Sequence, residues 1–453
     1  MSDLKKYISN LDKAIKEYIP PKNTPLYESA YKPKDLFRIP LEDAKKMQLK
    51  TIKHAFTHHY NNNQFYHNFC KEHSFTPDDI KTNEDLNKIP LIPDKFFKDY
   101  PDGKEFATWL ANIYTGDLPK IVIKQKKPTY DDVIDAFYKA GIIVTYSSGT
   151  GGRHTFVPRD RRTFLNSEYI LAKSLVTMLY PFWQYDSYGY LLMPNPKKNF
   201  IYAGKAVEIY FDAVKDVNVA IDRRVTTELI SMTMGGAGGL KSKFVRYFAY
   251  KQSKKMIDDI IAWLEKHENT DHKITFVGAP YILYAVMEKL KKQGRKFNFG
   301  ERGGVGTGGG WKIHEHKRMP VSEFRKEVQN VLGFKDENIL DIYGMVEGNG
   351  WMVHCPEGHY LHVPYSFYKP LVLDDEFKPA DYGEWGRFAF LDGAAQSYPG
   401  FIVTGDRVRL LKRCPVCDRP GPVLEPEVKR AKGEDVRGCA EEVRKMLTSD
   451  LGS

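Results

Sequence analysis

The sequence is poor in cysteine, with only Cys70, Cys355, Cys414, Cys417 and Cys439 among 453 residues. An odd, sparse set without a secretion signal argues against a disulfide framework. No apolar run reaches the roughly 18 residues that a membrane-spanning helix needs. The N-terminus, MSDLKKYISNLDKAIKEY, lacks the apolar segment and small-residue cleavage site of a signal peptide, so a cytoplasmic location is expected. Long Lys/Arg blocks and nucleic-acid motifs are absent. The excess of 68 basic over 58 acidic residues therefore reads as a solvated basic face suited to anionic substrates, with no nucleic-acid partner. Internal repeats and low-complexity tracts are also missing. What is present is 42% hydrophobic residues with charge spread throughout, enough for a large buried core.

The first 55 residues read as helices broken by a Pro-rich link, and 41–74 resumes a helical pattern around Asn61, Asn62 and Asn63. Short apolar β-type runs at 141–148, 188–194, 274–280 and 337–344 are separated by helical patterns at 163–180, 253–267 and 280–294. That alternation predicts an α/β fold with mostly parallel sheet. The segment 383–413 predicts antiparallel strands joined by Gly-rich turns. Glycine clusters at 147–152, 235–239 and 303–310 read as loops, where the backbone can approach a ligand or take positive φ, with a mobile lid as the alternative for 235–239.

Three segments carry chemistry. The loop Ser147, Ser148, Gly149, Thr150, Gly151 and Gly152 follows an apolar strand, and its hydroxyls and backbone N–H groups suit a triphosphate. It is neither a Walker loop nor G-x-G-x-x-G. In DIYGMVEGNG, Tyr343 and Gly344 offer a flat ring and a close backbone approach, and Glu347 a hard oxygen ligand for Mg²⁺. In TGD, Asp406 is expected on a turn between strands, suited to ribose hydroxyls. The order and spacing of the three together are more specific than any one alone.

These motifs resemble the adenylate-forming superfamily of acyl- and aryl-CoA ligases, luciferase-like enzymes and peptide-synthetase adenylation domains. Two departures stand out: Val346 replaces the usual Thr, and Arg153, His154 and Thr155 replace the usual end of the phosphate loop. IPLIPDKFFKD, SSGTGG, TGGGWK (with Gly308, Gly309 and Lys312), YGMVE and KGEDVRGC together are similar to the acyl-protein synthetases of the LuxE type. Phenylacetate-CoA ligases and coenzyme F390 synthetases look like more distant relatives. The resemblance implies a large N-terminal adenylating domain of layered sheets with a truncated C-terminal domain. The expected parts are a helical N-terminal region over 1–130, an adenylating core over 131–412 and a short Cys-rich segment over 413–453.

The implied chemistry has two steps. A carboxylate is a poor electrophile, so attack on the α-phosphate of ATP first makes an acyl-adenylate, and a thiol then takes the acyl group. The family places an acylated cysteine near the C-terminus. Here that is Cys439 in VRGCAEEVRKML, at or before a helix N-terminus and beside Arg437, both of which favour the thiolate. The plain alternative is an ordinary exposed cysteine. Arg430 marks a hinge-like segment after which the superfamily's mobile domain normally brings a catalytic lysine. No such lysine is identified here, with Lys432 a weak stand-in.

Cys414 and Cys417 form a C-x₂-C knuckle, and Cys355 lies upstream with His359 and His362. Three thiols and an imidazole make a tetrahedral set for structural Zn²⁺, and a metal-free β-turn is the alternative. His362 is favoured because YLHV matches a GLHI pattern in the phenylacetate-CoA ligase relatives. Of the remaining candidates, Trp311, Tyr146 and Trp351 read as core aromatics or acyl-tunnel lining, Cys70 as a buried hydrophobe, and His54, His58 and His59 as a polar helix face.

The expected function is ATP-dependent activation of a long-chain fatty acid and its transfer to Cys439. The expected partners are that fatty acid, an acyl reductase subunit and, in a homo-oligomer, further copies of the chain. An acyl- or aryl-CoA ligase and a degenerate adenylate-binding scaffold are the alternatives.

Overall fold

The alternation of apolar runs and helices builds one large mixed sheet in the computed structural model, which describes residues 2–149, 153–179, 187–233, 240–311 and 317–430. The strands are β1 Ile92–Pro93, β2 Ile142–Tyr146, β3 Phe156–Asp160, β4 Tyr188–Pro194, β5 Asp216–Ile221, β6 Ile274–Gly278, β7 Gly303–Gly308 and β8 Ile339–Tyr343. They continue with β9 Met352–His354, β10 Leu361–His362, β11 Tyr368–Leu373, β12 Trp385–Asp392, β13 Phe401–Leu411, β14 Val423–Leu424 and β15 Lys429–Arg430. Strands β5-β4-β6-β7-β8 lie side by side and parallel. Past β8 the sheet continues as β9-β10-β14-β13-β12-β11 with antiparallel neighbours. Strands β2 and β3 form a separate hairpin whose connecting loop is the candidate phosphate loop.

Two expectations need correction. The glycine run at 303–310 is not all loop, because 303–308 is the buried strand β7 between β6 and β8. Low intrinsic strand preference is overridden by packing. A Cβ at Gly303 would sit 2.2 Å from the Phe334 ring, so only glycine lets that ring lie on the strand. The loop proper begins at Gly309 and Gly310, both at positive φ. Second, Asp406 is not on a turn. Thr404, Gly405 and Asp406 lie within β13, where the pairing jumps from Ala389↔Val403 to Arg387↔Arg407. The extra residues on β13 form a bulge, which re-aims side chains without ending the strand.

Helices pack on both faces. The helix Leu41–Asn62 has Glu42 and Asp43 in its first turn, where carboxylates suit the dipole. It ends at Asn63, whose Oδ1 accepts the Tyr66 N–H at 2.8 Å and so starts the helix Gln64–Glu72. His59 on the first of these helices is another correction. It is fully buried, its ring bonded to Thr115 Oγ1 at 2.9 Å and to the Ala395 carbonyl at 2.8 Å. Burial pushes its pKa down to about 3. The polar face expected there is therefore an interior contact.

The helix Arg161–Leu179 is buried on every side from Thr163 onward. Its Lys173 is satisfied by the Ala30 and Tyr31 carbonyls at 2.8 and 2.6 Å. The core is continuous across residue 130, with Phe56, Phe106 and Phe137 sharing it with Phe390 and Phe401. A second apolar cluster lies around Trp263, Phe276 and Phe334. Cys70, Tyr146, Trp311 and Trp351 are all buried.

Candidate active site and metal centre

In a parallel sheet, ligands gather at the carboxyl ends of the strands. Strand β7 ends at Gly308, opposite Ile342 of β8, so Gly309 and the loop after Tyr343 open on the same edge. Gly344 is required there, because a Cβ would fall 2.5 Å from the Trp351 ring. Tyr343 donates its hydroxyl to Asp406 Oδ2 at 2.7 Å, which joins the second motif to the third. Burial, reinforced by that carboxylate, raises the Tyr343 phenol well above its ordinary pKa. The backbone of Arg430 lies opposite Asp406 across the β13–β15 pair.

Glu347 is buried at 6% exposure, and burial raises its carboxyl to about 7. Lys98 opposes the rise, and Asp94 and Asp406 add to it. Lys98 Nζ is 2.6 Å from Asp94 Oδ2. Asp94, Glu347 and Asp406 all act electrostatically on the Lys98 ammonium. Of these, Glu347 is the hard oxygen that the YGMVE motif offers to a cation such as Mg²⁺.

The phosphate-loop hairpin is tied to this centre. Ser147 Oγ accepts the Thr155 N–H at 2.9 Å, and its carbonyl pairs with His154 Nδ1 at 2.7 Å. Gly149 takes positive φ, and a Cβ there would press on the His154 ring at 2.9 Å. Arg153 donates to the Tyr100 carbonyl at 2.7 Å. Thr150, Gly151, Gly152, Lys312 and the 235–239 glycines lie outside the described residues, as do Lys432 and Cys439.

Two residues that the sequence does not single out complete the site. Arg159 on β3 is fully buried, and it donates to Asn349 Oδ1, Thr145 Oγ1, Tyr398 Oη and the Val346 and Gly348 carbonyls at 2.5–3.2 Å. It therefore straps the hairpin to the backbone on both sides of Glu347. Tyr398 also donates to the Glu347 carbonyl at 2.8 Å, and Asp392 accepts the Asn349 N–H at 2.6 Å. No sequence signal marks Arg159, which reads as one more charge in the polar run RDRR; only its burial shows that the guanidinium needs many acceptors. Lys98 is the second, and its signal was the four-residue spacing from Asp94 in DKFFK.

The cysteine cluster sits where β9, β10, β13 and β14 meet. Cys355, His362, Cys414 and Cys417 are all buried, and their ligand atoms lie within 4.8 Å of one another. Cys355 Sγ is 3.9 Å from Cys414 Sγ, and Cys417 Sγ is 3.3 Å from His362 Nε2. The edges of a tetrahedral zinc site are about 3.8 Å between sulfurs and about 3.5 Å between sulfur and nitrogen, given the usual bond lengths. Cys414 Sγ accepts the Val416 and Cys417 N–H groups at 3.4 Å each. Gly358 lies under Val416 with no room for a Cβ, so the two cysteine turns pack face to face. A hydrogen bond from Cys355 holds the Cys417 thiol far below its ordinary pKa despite burial, and His362 and Arg419 add to it. His359 points elsewhere, its Nε2 3.1 Å from Asp336 Oδ2. The donor set fits Zn²⁺.

The fold is that of the adenylate-forming ligases. A solved open conformation of 2-hydroxyisobutyryl-CoA ligase superposes with a TM-score of 0.57 at 13% identity, covering 93% of this chain and 76% of that one. The same enzyme in its thioesterification state gives 0.55 over 91% and 72%. The family is narrower. Residues 33–126 and 217–448 match the family described as acyl-protein synthetase, LuxE, so the chain belongs to that family and is an ATP-dependent ligase. It is 25% identical to the long-chain-fatty-acid–luciferin-component ligase of Vibrio harveyi, over 90% of each chain. It is 24% identical to the protein of the same name from Aliivibrio fischeri, over 90% of this chain and 91% of that one.

Proposed function

We propose that the protein activates a long-chain fatty acid with ATP to an acyl-adenylate, then passes the acyl group to Cys439 for delivery to an acyl reductase. The observation that carries this reading is the junction of Tyr343, Glu347 and Asp406 beside the phosphate-loop hairpin. Ser147, Ser148 and the loop glycines would receive the phosphates, and Asp406 the ribose. Glu347 would hold Mg²⁺, which supplies charge neutralisation at the phosphates. The carboxylate oxygen bonds to the α-phosphorus as the bond to the bridging oxygen breaks, and pyrophosphate leaves with the electron pair. The Cys439 thiolate then attacks the acyl carbon and AMP leaves. The cluster of Cys355, His362, Cys414 and Cys417 would hold Zn²⁺ as a structural brace at the end of β13. Its four protein donors fill a tetrahedron and leave no position for substrate.

The experiment is incubation with ATP and radiolabelled fatty acid, with and without CoA. Hydroxylamine-sensitive label on the protein, lost in Cys439→Ser with pyrophosphate exchange intact, is the expected result. Acyl-CoA without labelled protein identifies a CoA ligase instead, and absence of AMP a binding scaffold. Persistent thioester on Cys439→Ser removes that residue as acceptor.

A further inference from the structure

We propose that Lys98 is a catalytic residue of the adenylation step, its ammonium meeting the phosphate oxygens on which charge accumulates. The proposal rests on the reading above that this site adenylates a carboxylic acid.

The chain path places Lys98 there. Strand β1 runs parallel to β13, with Pro93 opposite Val403. The next residue, Asp94, therefore comes alongside the bulge, its Oδ2 3.8 Å from where a Cβ on Gly405 would stand. One turn later Lys98 Nζ returns to the same Oδ2 at 2.6 Å. From the other side, Arg153 at the end of the phosphate loop donates to the Tyr100 carbonyl and lies 3.7 Å from Asp99. Lys98 is thus held between the ribose motif and the phosphate loop. It is the strongest charge acting on Glu347. Burial would lower its own pKa, but Asp94, Glu347 and Asp406 outweigh that and raise it, so the amine stays protonated.

Arg159 and Lys98 differ in what they are free to do. Arg159 is fully buried and committed to fixed acceptors, so it positions. The Lys98 side chain is 37% exposed and bonded to one carboxylate, so its head can transfer to an incoming oxyanion. The reaction brings a carboxylate onto a phosphate, two anions with no proton to move. Positive charge at the phosphate is the help this step needs.

The test uses the full chain with Lys98→Met and Lys98→Arg, and Lys326→Met on an exposed helical face as control. In palmitate-dependent pyrophosphate exchange, Lys98→Met should lower kcat about a hundredfold or more, the usual loss for a preorganised oxyanion donor, while KM for ATP moves no more than about threefold. Lys98→Arg should recover about a tenth of the activity, since charge is kept and geometry changed. In a second arm on the unmutated protein, Mg·ATP should protect Lys98 from acetylation, read by mass spectrometry. Exchange by Lys98→Met within about threefold of the unmutated rate, or Lys98 acetylated equally with and without Mg·ATP, overturns the proposal. If the unmutated chain exchanges with no fatty acid, the substrate reading fails, and the protection arm still decides where Lys98 lies.

Discussion

The strand β13 serves two centres of opposite chemistry. Within it, the bulge at Thr404, Gly405 and Asp406 meets the Tyr343 phenol and lies beside the Asp94–Lys98 pair. Just past its end, Cys414 and Cys417 meet Cys355 and His362. The first centre is hard, charged and partly open. The second is soft, buried and filled by its own four donors. The segment from Tyr343 to His362 also links them, carrying Glu347 toward one and Cys355 toward the other. A rigid brace beside a site that must bind and release anions keeps Asp406 and Glu347 in register without touching the reacting atoms.

The largest expected effect is at Arg159. Arg159→Leu should destabilise the protein by about 3–5 kcal/mol in urea unfolding, the cost of removing the buried cation that acts on Asp392 and of leaving its neutral acceptors without their donor. Unchanged stability would mean that the strap does not hold the Glu347 loop. Next is Cys414→Ser. Bound zinc should fall from near one per chain toward zero, with a stability loss on the order of 3 kcal/mol. Pyrophosphate exchange by the folded protein should stay within about threefold, because the two centres share no side chain. A collapse of exchange at full stability would make the cluster catalytic, and no zinc in the unmutated protein would end the metal assignment.

His59 stands outside both centres and gives a reference. Its folded pKa, about 3, lies below the ordinary 6.5. The unfolded chain therefore binds more protons between those values, and the contribution is full above pH 6.5 and lost as pH falls toward 3. The slope should be about 1.4 kcal/mol per pH unit. His59→Gln should flatten it by one proton, and an identical slope would place the acid sensitivity elsewhere. The smallest effect expected is Tyr343→Phe. Losing one hydrogen bond to Asp406 should raise KM for ATP about fivefold, roughly 1 kcal/mol, with little change in stability.

The two centres were unequally legible in the sequence. Tyr343, Glu347 and Asp406 announce themselves through short motifs, and the thiols through Cys spacing. Arg159 does not, because its acceptors Thr145, Val346, Gly348, Asn349 and Tyr398 come from three distant segments. Lys98 lies inside the IPLIPDKFFKD motif, but nothing in that motif assigns it a role until β1 is seen beside β13. The glycines of β7 read as a loop because their strand character comes from Phe334, Ile342 and their neighbours, not from themselves. His59 reads as part of a polar face for a related reason: a polar side chain can be interior when both ring nitrogens find partners. The helix–strand alternation placed β4, β6 and β8 of the parallel part on apolar runs, but the sheet is not mostly parallel as expected: past β8 its neighbours are antiparallel, and the run at 141–148 pairs in the antiparallel β2–β3 hairpin.

The central claim is that Glu347 and its neighbours form an adenylating site. Fatty-acid-dependent exchange of labelled pyrophosphate into ATP, compared between the unmutated protein and Glu347→Gln, tests it most directly. An adenylating site should show exchange that requires the acid, and a loss of about a hundredfold or more in the variant at unchanged fold. Equal exchange by Glu347→Gln, or exchange indifferent to the acid, would contradict it.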